Sequence, residues 1–134
     1  MSTFVYNSAR HLFATAQLSW AGSVVGALLV SASYTPSQSD NFVSDITPGA
    51  ILRRCGDLTN VAEANGICAG TIAEQDAFIN AQPVVGLVLY IDSGDDATSQ
   101  LIYYSSDGPG FPFLPQGFNY AISYDLTQGG FFQV

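Results

Sequence analysis

Apolar residues near the start of the chain recur with the period of an α-helix. Tyr6, Ala9, Phe13 and Ala16 are three or four positions apart, and Leu12 lies beside them. Residues with this spacing share one face of a helix. The pattern therefore predicts an amphipathic helix over about residues 6–17.

The most hydrophobic stretch runs from Leu18 to Ala32. It resembles a secretory signal because it follows Arg10 and ends in small residues. However, the arginine lies well upstream, and the stretch is shorter than the roughly twenty apolar residues that span a bilayer. Residues 23–30 are β-branched at their start and apolar on both faces, as in a strand that is covered on both sides. We expect a buried strand here and no membrane association.

The second half of the chain contains a clear β-hairpin pattern. Residues 84–91 and 100–105 are rich in Val, Ile, Leu and Tyr, and the turn-forming residues 92–96 separate them. A second hairpin is predicted from residues 118–124 to residues 131–134, through a turn at Gln128-Gly129-Gly130.

Several short strands with one terminal helix favour a mainly β fold, an antiparallel β-sandwich or jelly-roll-like domain with one N-terminal α-helix. At 134 residues the chain fits a single domain, residues 1–134.

The charge balance excludes some functions. The chain has three Arg, no Lys and eleven acidic residues, for a net charge of −8. Such a surface repels phosphate, so nucleic-acid binding is excluded as a primary function. Only 10% of the residues are charged, which favours a subunit that buries much of its surface against copies of itself or a larger assembly. The alternative is a Ser/Thr-rich monomer.

Few residues are suited to catalysis or metal binding. A structural zinc site needs about four His or Cys ligands, and the chain has one His and two Cys. Asp92, Asp95 and Asp96 offer hard oxygen ligands for calcium, but acidic residues at a hairpin tip are more often a solvated turn. The chain contains no nucleophile motif for which His11 could act as the general base, so we interpret His11 as a surface or interface residue. We predict no catalytic residue, no metal and no cofactor.

Cys55 and Cys68 permit two interpretations. Twelve residues separate them, and a disulfide closing such a loop would contribute about 3 kcal/mol if the α-carbons come within reach. Both cysteines are also compatible with buried core thiols.

The helix and the one pair of adjacent cations are the candidate assembly interface. The helix must cover an apolar surface, either this domain's own sheet or a neighbouring subunit, and the low charge favours the neighbour. We therefore expect residues 1–17 to be a docking element whose removal leaves a folded β domain. For the arginine pair we expect an acidic partner on a neighbouring subunit, the alternative being an exposed strand end. The predicted interface residues are Tyr6, Arg10, Phe13, Arg53 and Arg54.

Short motifs along most of the chain resemble those of small structural proteins of tailed bacteriophages. The motifs are Tyr6-Asn7 with Arg10 and Phe13, residues 27–30, Phe42 with Asp45-Ile46 and residues 48–50, residues 89–94, residues 99–104, and residues 130–132. The segments 55–68 and 74–83 depart from that pattern.

The resemblance implies a non-enzymatic virion protein whose partners are other virion proteins and copies of itself. Our first expectation is a capsid decoration or cement subunit, and the alternative is a tail, neck or fibre-adaptor component. A small carbohydrate-binding β-sandwich is a more distant alternative. It would need an exposed aromatic platform, for which Trp20 is the one tryptophan.

Overall fold

Antiparallel strands make up most of the regular structure. The computed structural model describes residues 3–64, 66–75, 82–106, 120–124 and 132–133. Within these ranges one α-helix, α1, spans Asn7–Ala14, and two short 3₁₀ turns span Val43–Asp45 and Pro48–Ala50. The strands there are β1 Thr3–Val5, β2 Val25–Val30, β3 Ile51–Asp57, β4 Thr59–Ala64, β5 Ile67–Gln75, β6 Gly86–Ile91, β7 Leu101–Ser105, β8 Tyr120–Tyr124 and β9 Phe132–Gln133. The prediction of a mainly β fold with antiparallel sheets and one N-terminal helix is confirmed.

The larger sheet has five strands in the order β1-β7-β6-β2-β3, and every pair is antiparallel. Its strand β2 is buried along its whole length. Val25, Ala27 and Leu29 join one core cluster, while Leu28 and Val30 join another. This is the alternation that a pleated strand imposes when both faces are covered. The predicted buried strand is therefore confirmed, and so is the hairpin of β6 and β7.

The segment between β2 and β3 covers one face of this sheet. Tyr34, Val43, Ile46 and Ala50 from that segment are buried with Leu28 of β2 in one cluster. The two 3₁₀ turns lie in this segment, and Pro48 begins the second one. The segment thus forms a layer over the sheet, not a loose connection.

The smaller sheet covers the opposite face. Its path is β4-β5-β8, and β9 also pairs with β5. Cys68 and Ile72 of β5 belong to the same core cluster as Leu29 and Leu89 of the larger sheet. The two sheets therefore share one apolar core, as in a β-sandwich.

The predicted second hairpin is wrong. β8 and β9 both pair with β5 in the antiparallel sense, through Gly70↔Tyr124 and Cys68↔Phe132. Two strands that are both antiparallel to a third run in the same direction, so they cannot form a hairpin with each other. The turn proposed at residues 128–130 lies outside the described residues.

Helix α1 packs on the domain's own core and is shorter than predicted. Ala9 is buried in the cluster between the sheets, and Phe13 packs against that cluster. The segment before the helix is β1, an edge strand of the larger sheet. The structure therefore contradicts the idea of a separable docking element, because residues 3–14 contribute both a strand and core contacts. Within the described residues, no helix reaches the length and hydropathy that a bilayer crossing requires.

Candidate assembly surface

An open groove of about 650 Å³ lies beside the first half of β3; we call it the β3 groove. Its walls include Ile51 and Leu52 of β3 together with Val43, Ile46 and Pro48 from the covering segment. Polar and charged residues also line it: Ser44, Arg53, Arg54 and Asp96. The groove therefore combines apolar and charged lining residues.

Hydrogen bonds fix the wall opposite β3. The backbone N–H of Ser44 donates to the carbonyl of Asp96 at 3.0 Å, and that of Val43 donates to the carbonyl of Ser99 at 3.0 Å. The Asp45 carboxylate accepts from the N–H groups of Phe42 and Asn41, at 3.0 and 2.9 Å. These two bonds to the charged form hold the pKa of Asp45 below its usual value. These bonds connect the covering segment to the β6–β7 turn and also fix its local conformation.

The Arg54 guanidinium forms a two-bond ion pair with Asp96 of the β6–β7 turn. Nη1 lies 3.1 Å from Oδ1, and Nη2 lies 2.6 Å from Oδ2. The pair raises the pKa of Arg54. The side chains remain 51% and 45% exposed, so solvent screens the attraction and its contribution to stability is about 1 kcal/mol or less. The sequence predicted an acidic partner on another subunit, but Arg54 has one within the chain. Arg53 lies half-buried beside it in the groove.

Tyr6, a predicted interface residue, has no exposed surface. Its hydroxyl lies 2.7 Å from that of Tyr34, which donates to Asp40 at 2.8 Å. Burial is the largest cause of the raised pKa of both tyrosines. In Tyr6 the hydrogen bond with Tyr34 opposes this effect and lowers the pKa. Tyr6 is therefore a core residue and is withdrawn from the candidate interface. Sequence reasoning missed this network because no local pattern joins positions 28 residues apart.

The other predicted interface residues of the N-terminal segment face different ways. Arg10 and His11 are exposed on α1, whereas Phe13 is half-buried against the core. None of these residues lines the β3 groove. The structure thus separates the arginine pair from the helix, and the two do not form one surface.

Cys55 and Cys68 are both buried thiols, and no disulfide joins them. The disulfide alternative is therefore contradicted and the core-thiol alternative holds. The two residues lie in strands of different sheets, β3 and β5, and fill the core between them. Burial, with a smaller contribution from Glu63, raises the pKa of the Cys68 thiol to about 11. A thiol with such a pKa is a poor nucleophile at neutral pH.

The acidic turn uses its carboxylates internally. Asp92 accepts from the N–H of Gly94 at 2.9 Å, Asp95 accepts from the N–H of Ala97 at 3.0 Å, and Asp96 pairs with Arg54. These are the local contacts of a solvated turn. Among the described residues, no group of three His, Cys, Asp or Glu side chains is arranged to hold a metal ion.

The carboxyl groups of Asp57 and Asp92, which are distant in the sequence, are in contact. The pKa of Asp57, at the end of β3, is raised first by a hydrogen bond with Asp92 and then by burial and by the charge of Asp92. The sequence carried no signal for this contact. It arises because β3 and β6 flank the start of β2, where Asp57 pairs with Gly26 and the N–H of Asp92 donates to Val24.

Trp20 is not an exposed stacking platform. It is 3% exposed, and its indole N–H donates to the carbonyl of Ala69 at 2.9 Å. The ring therefore connects the segment before β2 to the smaller sheet, and it is not placed to stack on a sugar.

No protein-family model, curated protein or solved structure matches this chain. Its function is therefore inferred from its own residues.

Proposed function

We propose that this chain is a non-enzymatic structural protein of a tailed-bacteriophage virion, a capsid decoration subunit that binds neighbouring shell proteins. The observation that most directly supports a binding role is the β3 groove, which is lined by both apolar and charged residues. Binding surfaces commonly combine an apolar centre with a polar rim. The virion assignment rests on the resemblance of short motifs in this chain to those of phage structural proteins.

The use of the polar residues supports a structural role. Asp45 caps a turn, Asp96 holds Arg54, and the Tyr6 and Tyr34 hydroxyls bond each other inside the core. Cys68 is a buried thiol with a raised pKa. Catalytic groups instead tend to combine perturbed pKa values with an accessible cleft. These side chains stabilise the fold.

The low charge of the chain supports a partly covered surface. With 10% charged residues it has fewer groups to hydrate an isolated surface than a typical soluble domain. Other virion proteins and further copies of the chain are the proposed partners, and no cofactor is required.

The test is the copy number of the chain in purified particles. Quantitative mass spectrometry of density-banded virions, with isotope-labelled peptides of this chain and of the major shell protein, gives the ratio directly. A ratio of the order of one copy per shell subunit, or per few subunits, supports decoration. A ratio far lower supports a tail, neck or fibre position and overturns the capsid assignment. Absence from the particles overturns the virion proposal altogether.

A further inference from the structure

Strand β1 and helix α1 together form an N-terminal arm, residues 3–14. The arm is held by a strand that lies far away in the sequence. β1 pairs with β7, and the N–H of Tyr6 donates to the carbonyl of Ile102 at 2.9 Å. The Tyr6 hydroxyl lies 2.7 Å from that of Tyr34. We call the surface that β7 and Tyr34 present to the arm the arm slot.

The arm slot has to be filled for the core to be covered. Tyr6 has no exposed surface, and Ala9 is 1% exposed. The ring of Phe4 packs against that of Tyr104 in β7, with 5.6 Å between the ring centroids. Withdrawal of the arm would expose these apolar groups to water, which is unfavourable. The same contacts can form elsewhere only in the identical slot of a second copy of the chain.

The arm is joined to the rest of the domain by an exposed hinge, which comprises Thr15, Ala16 and Gln17. The side chains of all three residues are exposed, whereas the next residue, Leu18, is buried. Because no hinge side chain is packed in the core, the backbone here can change direction without disturbing the core.

The hinge backbone is strained. Ala16 has φ of 59°, and in the part of the chain that the structure describes no other residue except glycine has a positive φ. This conformation is unfavourable for an L-residue compared with the helical one. The hinge contains neither glycine nor proline, the residues that commonly end helices. Strain of this kind persists only where other contacts impose it, and the contacts of the arm with its own slot do so here.

A helical hinge would release this strain and keep its hydrogen bonds. The N–H groups of Ala16 and Gln17 donate to the carbonyls of Phe13 and Leu12, at 3.2 and 2.9 Å. In a continuous helix the same two donors would bond the same two acceptors in the other combination. α1 would then extend through Gln17, and the turn that directs the arm to its own slot would be gone.

We propose that two copies of this chain exchange their N-terminal arms, so that each arm fills the arm slot of the other copy. Every contact of the arm with its slot forms again across the two copies, and the difference is confined to the hinge. Exchange of an identical element is a low-cost route to a dimer for this reason. The arm completes the fold in either arrangement, so it is not a separable docking element.

The first test uses two full chains that each carry one introduced cysteine. Thr3 and Ser105 face each other across β1 and β7, with their hydroxyl oxygens 3.1 Å apart. An isotope-labelled chain with Thr3→Cys and an unlabelled chain with Ser105→Cys are unfolded together, refolded at high concentration and oxidised. A disulfide between these two positions of different chains requires an exchanged arm. We expect this mixed dimer in non-reducing mass spectrometry with peptide mapping.

Two controls accompany this test. In one mixture Ser44→Cys, on the exposed covering segment, replaces Ser105→Cys and should give no link above background. A single chain with both Thr3→Cys and Ser105→Cys shows whether the facing pair can be bridged. If that chain forms the bridge but the mixture gives no link between chains, the proposal is overturned. Equal linkage in the Ser44→Cys mixture also overturns it. If the doubly substituted chain forms no bridge, the hinge variants decide.

Hinge variants test the role of Ala16, with the dimer fraction measured by sedimentation velocity over a range of concentrations. Ala16→Gly removes the steric penalty from the unexchanged hinge and weakens the continuous helix. Because a dimer contains two hinges, its Kd should rise by about tenfold or more. Ala14→Gly weakens α1 in both arrangements and should leave the Kd unchanged. Ala16→Val, which is β-branched, disfavours the left-handed conformation further and should increase the dimer fraction.

The outcomes of the hinge experiment are decisive in both directions. A Kd that rises for Ala16→Gly and not for Ala14→Gly supports exchange. A wild-type chain and an Ala16→Val variant that stay monomeric at every concentration overturn the proposal, and so does an equal change of Kd in the two glycine variants.

Arm exchange goes beyond the proposed function, because it concerns this chain alone. A chain that is abundant in virions but exchanges no arm keeps the decoration role and loses this proposal. A chain that exchanges arms but is absent from virions keeps this proposal and loses the virion role.

Discussion

The ring of Tyr90 lies against the backbone of Gly26 on the neighbouring strand. A methyl group built at Gly26 would lie 2.6 Å from the Tyr90 hydroxyl oxygen and closer still to the ring. Tyr90 is 6% exposed and packed in the core cluster, so its ring cannot simply turn outward. Glycine at position 26 is thus required by the close approach of an aromatic side chain.

We expect Gly26→Ala to destabilise the fold by about 1–3 kcal/mol, the usual cost of overpacking a core. Chemical denaturation followed by circular dichroism measures it. Gly49→Ala is the control, because a methyl group at Gly49 meets no atom within 4 Å. Equal stability of the two variants would contradict the close packing of Tyr90 on Gly26.

Ala16 adopts a left-handed conformation at the end of α1, with φ of 59°. The N–H groups of Ala16 and Gln17 donate to the carbonyls of Phe13 and Leu12, as in a Schellman motif. Glycine has no steric penalty at this position, so we expect Ala16→Gly to raise stability by about 0.5–1 kcal/mol.

Ala14→Gly, in the last turn of α1, is the matched comparison. There glycine costs about 1 kcal/mol because the backbone is helical. The thermal midpoint should rise for the first variant and fall for the second. Two shifts of the same sign would contradict the described helix end.

The Tyr6–Tyr34–Asp40 network makes the fold sensitive to alkaline pH. The pKa of each tyrosine is raised in the folded state above the ordinary value of 10.0. A raised pKa gives stability that is fully present below pH 10 and is lost as the pH rises above it. We therefore expect stability to fall steeply above pH 10, with phenolate absorbance from these residues appearing only on unfolding.

Phenylalanine variants test the same network near neutral pH. Tyr6→Phe leaves Tyr34 bonded to Asp40 and should cost about 1 kcal/mol. Tyr34→Phe removes the partner of the buried Tyr6 hydroxyl as well as the bond to Asp40, so it should cost more, about 1–3 kcal/mol. A larger loss from Tyr6→Phe would contradict the direction of these bonds.

The cysteines should behave as protected thiols. With a Cys68 pKa of about 11, only about one thiol in a thousand is ionised at pH 8, and burial blocks access as well. Both cysteines should resist alkylation in the native protein and react fully in denaturant. A mass deficit of two protons without reductant, or a melting temperature that falls on adding reductant, would instead show the bridge.

Asp57 should weaken the fold slightly at neutral pH. Its raised pKa gives stability that is present below the ordinary value of 3.8 and is lost as the pH rises through the higher, folded-state pKa. Asp57→Asn should therefore raise stability at pH 7, by about 0.5 kcal/mol or less because Asp57 is exposed and screened. Asp95→Asn, in the neighbouring turn, is the control. A loss of stability in Asp57→Asn alone would mean that the ionised form is the stabilising one.

Local patterns carried the sequence predictions that the structure confirms. The doubly buried β2 and the hairpin of β6 and β7 follow from runs of apolar residues and turn formers within a few positions. The shared pairing of β8 and β9 with β5 depends on contacts between distant segments, which a hairpin-like pattern of residues does not encode. Tyr6 was assigned to an assembly interface because helical spacing shows which residues share a face, and not what that face covers.

The candidate site was predictable only in part. Arg53 and Arg54 were singled out by their charge, since they are the one cationic pair in the chain. The groove around these arginines was not predicted, because Val43, Ile46 and Asp96 come from segments that only the fold brings close to β3. The internal partner of Arg54 lies 42 positions away, beyond any spacing rule.

The pairing of β1 with β7 has a consequence for biosynthesis. Thr3 lies opposite Ser105, 102 positions later, and their hydroxyl oxygens are 3.1 Å apart. β1 therefore leaves the ribosome long before β7, its partner strand among the described residues, has been synthesised, and loop closure over such a distance is slow. Until then Tyr6, which follows β1 and is fully buried in the folded domain, lacks Leu101 and Tyr104, the β7 residues of its core cluster. In the larger sheet, the strand that is synthesised first can be placed only after β7 has emerged.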